Sequence, residues 1–268
     1  MDPVDSPHDR FDSWIAALET RQLADLTFRE VSRSLRALSS AYVERRGRLD
    51  EGAALAGAGK RAAFALFYSP LHYLLIREIV RTLPHAIDRS DRLIDLGCGT
   101  GAAGVAWAAA CDRPPSIVGL DRHPWALGEA QWTYRHFGLS GRTQHEDVGK
   151  AALPKPPATL LAAFTLNELP DAARNALLQR LFDRAAAGDR VLIVEPLARG
   201  AAPWWNRWQE KSVAAGGRGD EWRFRVELPA IVTKLDRAAG LNHRELTGRT
   251  LWLDGRARIR GADRSPGS

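Results

Sequence analysis

From Ser13 to about Arg46 the apolar residues Trp14, Leu18, Leu23, Leu26, Val31, Leu35, Leu38 and Tyr42 recur at steps of three to five. That spacing predicts one or two amphipathic helices, with Asp12 or Ser13 as a cap. Residues 1–11, acidic and proline-bearing, read as a frayed end. Gly47, Gly52, Gly57 and Gly59 mark a connection, a surface loop or a hinge. Helical spacing resumes in KRAAFALFYSPLHYLLIREIVRTLP, with a break expected at Ser69-Pro70, where serine caps and proline takes the first turn of a second helix that Pro84 closes.

Beyond Arg92 short β-like runs alternate with helical ones: RLIDL and a helix over 102–111, SIVGLD and a helix over 124–137, RTQHED, TLLAAFTL and a helix over 171–187, then DRVLIVEP. Such alternation predicts an α/β fold built from βαβ units, a mostly parallel twisted sheet with helices on both faces. A helix near 229–239 follows, and then HRELT and RTLWL around Gly248, expected as an antiparallel C-terminal edge hairpin. The chain thus divides into an N-terminal helical cap over 1–90, an α/β domain over 91–255 and a basic, disordered tail over 256–268.

Composition narrows the class. A chain of 268 residues can bury a core without staples, and nothing in it forces oligomerisation. Its two cysteines, Cys98 and Cys111, have neither the spacing nor the histidine neighbours of a metal site, so no metal and no disulfide are expected. A reducing cytoplasm fits. No apolar run approaches the roughly 20 residues of a membrane span, and MDPVDSPHD lacks the regions of a signal peptide, so no membrane partner is expected. The net charge of +6 is carried by residues 199–268, which hold 14 Lys/Arg against 8 Asp/Glu. A basic end of that kind could track the phosphates of RNA.

The chemistry concentrates in DRLIDLGCGTGAAG, where a strand turns through glycines into small residues and backbone can approach a ligand closely. Gly97, Gly99 and Ala102 satisfy G-x-G-x-x-A, a pattern shared with dinucleotide sites, and Asp121 closes the next strand where an acid can accept both ribose hydroxyls of an adenosine. Asp95, two residues before Gly97, suits a cationic ligand end such as an ammonium or sulfonium and opposes a pyrophosphate. Asp147, at the end of the third strand, is placed for an adenine amino group by analogy of fold.

LIDLGCGTG, IVGLD, HEDV and VLIVEP, in that order and spacing, resemble the successive motifs of class I S-adenosylmethionine-dependent methyltransferases over about 92–255. The resemblance implies a Rossmann-like methyltransferase fold with S-adenosyl-L-methionine as cofactor. It implies that Asp95 and the loop Gly97, Cys98, Gly99, Thr100 and Gly101 hold the methionine part, that Asp121 takes the ribose, that Arg122 or His123 lies beside the adenine, and that Asp147 with Val148 holds its edge. Thr165 completes the cofactor set. Asn167 and Glu168 in TLNELP stand at the fourth strand end and are the first candidates for acceptor contact and catalysis, joined by Tyr68 and His72; Glu168 could instead cap the helix after it. Trp204, Trp205 and Trp208 in PWWNRW are a candidate cover for the acceptor. Cys98 reads as a small loop residue and Gly104 as helix-packing space.

TLNELP and VLIVEP are also similar to the methyltransferase-like family of small-ribosomal-subunit assembly, which would imply ribosomal RNA as a partner. The family's cysteine cluster is absent, and the residue after Glu195-Pro196 is Leu197, not glycine. The leading expectation is methyl transfer by in-line displacement to an unidentified nitrogen or oxygen acceptor, a small molecule or RNA. The alternative is a non-catalytic RNA-binding assembly factor, and a nucleotide-dependent oxidoreductase is a third reading.

Overall fold

A computed structural model describes residues 7–44, 55–197 and 203–256. Gly47, Gly52 and nearly all of the expected basic tail lie outside the described residues. Helix α1 spans Pro7–Gln22 and α2 Phe28–Glu44. The start of α1 corrects the expectation of a frayed end: Phe11 is buried, its ring stacked 4.7 Å from Tyr73 and 5.9 Å from Trp14, and this anchorage orders the turn before Asp12. Asp12 and Ser13 therefore lie inside the helix. The second helix starts with a reciprocal cap, the Thr27 N–H donating to Glu30 Oε2 at 2.8 Å and the Glu30 N–H to Thr27 Oγ1 at 3.3 Å.

The expected break at Ser69-Pro70 is not there. Helix α3 (Ala58–Ala63) runs through one π turn, Phe64–Tyr68, into α4 (Ser69–Thr82). Pro70 sits in the first turn of α4, and the Ser69 hydroxyl is shared between Phe64 O at 3.2 Å and Thr100 Oγ1 at 2.6 Å, so it ties α4 to the glycine loop.

The α/β part then runs β1 (Arg92–Leu96), α5 (Ala102–Ala110), β2 (Ser116–Asp121), α6 (Pro124–His136), β3 (Gly141–His145), β4 (Thr159–Ala163), α7 (Asp171–Ala186), β5 (Arg190–Glu195), α8 (Trp205–Ala214), β6 (Arg218–Phe224), α9 (Ala230–Ala239) and β7 (Leu246–Asp254). These form one seven-stranded sheet in the order β3-β2-β1-β4-β5-β7-β6, with β1 to β5 parallel and β7 antiparallel to both neighbours. The central strands are apolar runs buried on both faces, as a parallel sheet covered by helices requires.

The antiparallel edge is present, but Gly248 does not turn a hairpin. HRELT and RTLWL merge into the single strand β7, whose partner β6 lies upstream, joined through α9. Strand β6 is half-buried and mixes charges with Trp222 and Phe224, the mark of an edge strand.

Two cores fill the faces. One joins Phe11, Trp14, Tyr73, Trp107, Tyr134 and Phe137 with residues of α9, so the N-terminal helices share it with the sheet. Arg21 adds an ion pair to Glu129 at 2.8 Å and lies 4.0 Å over Trp132. The second core gathers Leu177, Leu178 and Leu181 of α7 with Trp205 and Trp208 of α8. That placement corrects the reading of PWWNRW as an acceptor cover: Trp205 and Trp208 are buried beneath the sheet, where a helical one-turn repeat puts them.

Candidate active site

The strand order reverses between β1 and β4, and their carboxyl ends open a crevice there. Two ties close its floor. The Gly97 and Cys98 N–H groups donate to Leu120 O at 2.8 and 3.0 Å, joining the loop to β2, and Thr165 Oγ1 donates to Leu96 O at 2.8 Å, joining β4 to β1. Gly97, at φ +71°, leaves just enough room for the Thr165 side chain; a Cβ there would lie 3.0 Å from Thr165 Cβ and closer still to its Oγ1 and Cγ2.

Above this floor lies a cavity of about 960 Å³ lined by several elements. Gly97, Cys98, Gly99 and Thr100 come from the loop, Asp121, Arg122 and His123 from the end of β2, and His145 from the end of β3. Thr165, Asn167 and Glu168 come from the end of β4, Phe64, Tyr68 and His72 from the π turn and α4, and Glu195, His243 and Glu245 from β5 and the α9–β7 connection. The structure thus brings together most residues singled out from the sequence.

Three stand apart. Asp95 is buried behind the loop, where its Oδ2 accepts the Gly104 N–H at 3.0 Å and locks the start of α5; a Cβ on Gly104 would fall 2.7 Å from that oxygen. Burial pushes its carboxyl up to about 7, against the Gly104 bond and with the nearby Asp121 charge. Asp147 is an exposed turn residue whose Oδ1 accepts the Gly149 N–H at 2.8 Å, and Val148 is buried in the second core. Neither is among the residues lining the cavity.

Asp121 is the pivot of the β2 side. Its Oδ2 accepts the Gly99 N–H at 2.9 Å and its Oδ1 the His123 N–H at 2.8 Å, which fixes the carboxylate at the cavity edge. His145 Nε2 meets Arg122 O at 2.8 Å, joining the ends of β2 and β3. Cys98 is no nucleophile, because burial, reinforced by Asp95 and Asp121, pushes its thiol well up.

The ends of β4 and β5 bring further carboxyl groups to the cavity. Glu168 faces cavity space; enclosure by protein, with the Asp121 charge, pushes its carboxyl up to about 7, while Arg122 pulls the other way. It does not cap α7, whose N-cap is Pro170 without a side-chain bond. Glu195 is fully buried, and its Oε1 accepts the Leu166 and Asn167 N–H groups at 2.8 and 3.3 Å. Its Oε2 has no partner among the described residues, and burial pushes the carboxyl up to about 8 despite those bonds and Arg249. Asn167 accepts the Trp204 indole N–H at 3.1 Å, the one thread from the tryptophan cluster to the site among the described residues. The His72 ring stacks 4.2 Å from Phe164, and burial lowers its pKa to about 4, so it stays neutral.

Glu195 carries a measurable consequence. Its pKa is about 8 folded against 4.5 for the ordinary side chain, so between those values the folded state holds a proton that the unfolded chain has released. Stability of the ligand-free protein should fall as pH rises through that window and level off above about 8. Glu195→Gln is expected to flatten the fall, by on the order of a few kcal/mol at pH 9, in denaturant melts at a series of pH values. An unchanged slope would show that the empty site tolerates the charge.

Residues 93–188 match the family model of a methyltransferase domain. That stretch, from β1 to just past α7, is similar to a methyltransferase domain. The carboxy-S-adenosyl-L-methionine synthase of a Nitratiruptor species is 28% identical over 141 residues, 53% of this chain and 57% of that protein. Its namesake from Idiomarina loihiensis is 25% identical over 126 residues, 44% of this chain and 51% of that one. The chain therefore spans little more than half the length of these curated relatives. Among solved structures, one classed provisionally as an O-methyltransferase of Nostoc punctiforme superposes with TM-score 0.53 at 13% identity, covering 92% of this chain and 72% of that one. The plantazolicin methyltransferase BpumL superposes with TM-score 0.51 at 9% identity, covering 85% of this chain and 97% of that one. At these identities the likeness is one of fold. The antiparallel β7 between β5 and β6 also separates this methyltransferase domain from the dinucleotide order 3-2-1-4-5-6, against the oxidoreductase reading.

His145, Glu195, His243 and Glu245 were not singled out from the sequence, although Glu195 stood in the quoted VLIVEP. Among the described residues no helix is long and apolar enough to cross a membrane.

Proposed function

We propose that the protein methylates a small molecule at oxygen or nitrogen, using S-adenosylmethionine. The observation that carries this reading is the cavity itself, whose volume of about 960 Å³ is at the upper end of the roughly 300–1,000 Å³ of small-molecule sites. It runs past the ribose acid Asp121 to a second wall formed by the π turn, α4 and the α9–β7 connection, leaving room for two ligands.

The residues present fit the cofactor. Asp121 keeps lone pairs beyond its two backbone bonds for ribose hydroxyls, His123 Nδ1 is a buried ring nitrogen without a protein partner among the described residues, and the Glu168 carboxyl beside Asp121 adds to the acidic surroundings that a cation favours. When bound, S-adenosylmethionine supplies an electrophilic methyl group on a sulfonium. The chain's own part is alignment and the exclusion of water, with the Gly97–Gly101 backbone and Asp121 holding one ligand and the far wall positioning the other.

The curated relatives' name specifies an S-adenosylmethionine bearing an extra carboxylate. Glu168 lies close enough to Asp121 for the two to influence each other, and a further carboxylate beside them would meet like charge, which favours methyl transfer as the reaction of this chain. RNA as acceptor would require a basic groove, whereas this cavity is lined by Glu168, Glu195 and Glu245, with Arg122 the one arginine or lysine among its described lining residues.

The test is to incubate the protein with methyl-labelled S-adenosylmethionine and either a low-molecular-weight cell extract or total RNA. Label is expected in the small-molecule fraction, at a rate that Asp121→Ala reduces at least about tenfold when the cofactor is below saturation. Label found in RNA alone would overturn the small-molecule reading, and label in neither, with no cofactor binding, would overturn methyl transfer.

A further inference from the structure

The half of the cavity away from Asp121 has a chemistry of its own. Its wall carries several rings: Phe64 lies 5.8 Å from Tyr68, and Tyr68 6.2 Å from His72, which stacks 4.2 Å from Phe164, while His243 and Tyr68 are backed by the buried Phe67, 5.3 Å from each. Leu71, Leu75, Leu241 and Leu246 complete an apolar lining. Such a surface fits a planar aromatic body.

His243 is held for one purpose. Its backbone N–H donates to Asp236 Oδ2 at 3.0 Å, and its Nδ1 lies 2.5 Å from Asp236 Oδ1, with Asp236 itself buried at 8% exposure. A carboxylate beside Nδ1 keeps the ring's proton there, so in the neutral ring Nε2 carries the free lone pair. Nε2 has no protein partner among the described residues, and the residue lines the cavity. A base oriented by a carboxylate at the end of an aromatic-walled cavity is an arrangement that receives a proton.

The charges select further. Glu195 and Glu245 line the cavity as well, while Glu168 and the lining arginine, Arg122, lie on the Asp121 side. Glu245 is neutralised from outside by Arg225 at 3.1 Å. A carboxylate brought in here would lose its water and meet carboxyl groups in exchange.

We propose that this half is the acceptor subsite and that it takes an uncharged aromatic molecule bearing a hydroxyl or amino group, whose hydrogen is donated to His243 Nε2. The proposal rests on the methyl-transfer reading. In the transfer the acceptor's heteroatom bonds to the methyl carbon while the carbon–sulfur bond breaks, its electron pair staying on sulfur. The acceptor's proton passes to Nε2, and the Asp236 carboxylate balances the imidazolium. Asp236 is thus a positioning residue.

The experiment is calorimetry on protein saturated with S-adenosylhomocysteine, with three probes of one ring system: 2-naphthol, 2-methoxynaphthalene and 2-naphthoate. The naphthol is expected to bind about 5-fold more tightly than the ether, which has no hydrogen to donate. The naphthoate is expected to bind at least about 10-fold more weakly than the naphthol. His243→Leu should bring the naphthol down to the ether's affinity and leave the ether unchanged, which also reports an intact fold. Asp236→Asn, which keeps the ring but releases its tautomer, should narrow the preference and serves as the second variant. Naphthoate binding as tight as naphthol, a naphthol preference surviving in His243→Leu, or failure of every probe on protein that binds S-adenosylhomocysteine would each overturn the proposal. Failure of the unaltered protein to bind S-adenosylhomocysteine strikes the methyl-transfer reading instead.

Discussion

Asp121→Ala is expected to weaken S-adenosylmethionine binding by about 10²-fold, since hydrogen bonds to a charged acceptor are worth about 1.5–3 kcal/mol each and ribose offers two hydroxyls. The carboxylate also organises the site before any ligand arrives, through its bonds to the Gly99 and His123 N–H groups at 2.9 and 2.8 Å. Alanine removes both roles. Asp121→Asn keeps one oxygen but turns an amide toward an N–H donor, so a smaller loss, about tenfold, is expected. Because Asp121 is half-buried at a strand end, the folded state should survive either change. Titration calorimetry with S-adenosylmethionine decides the matter, and an unaltered dissociation constant in the alanine variant would rule out a ribose-binding role.

Gly97→Ala should do its damage through the backbone. At φ +71° an L-residue costs roughly 1–2 kcal/mol, and the new methyl would press on the Thr165 side chain, which cannot yield because its hydroxyl is bonded to Leu96 O at 2.8 Å. Overpacking of that kind typically adds about 1–3 kcal/mol, so a total loss of about 2–5 kcal/mol is expected, with the loop displaced and cofactor binding gone. The two contributions are separable. Thr165→Ala in the Gly97→Ala background should recover the steric part and leave the dihedral part, a coupling readable by chemical denaturation as a double-mutant cycle. Additive losses would mean that Thr165 and Gly97 do not oppose each other.

The legible parts of this molecule were those whose cause is local. The runs LIDL, SIVGLD and VLIVE are apolar because they are buried on both faces, and they became β1, β2 and β5. The glycine loop and Asp121 fell where strand-end chemistry put them. Strand β6 escaped notice because its charged residues read as loop, although Trp222 and Phe224, two apart, share one side of it. The tryptophans of PWWNRW misled through their density, while the one-turn spacing of Trp205 and Trp208 already described a helix facing a core. His243 and Asp236 carry no local signature. A helix between Pro229 and Gly240 could be read, but its far end meets the cavity only through the packing of α9 on the π turn.

The π turn and α4 have a practical consequence for anyone wishing to retarget the enzyme. Phe64, Tyr68 and His72 come from one short stretch of chain and Leu241 to Thr247 from another, while the glycine loop and Asp121 come from strand ends elsewhere. On the proposed reading, acceptor choice and cofactor retention are written in separate passages of the sequence. Grafting the two wall segments, with Ser69 kept to hold Thr100, should then exchange the substrate and leave the methyl-donor half as it stands.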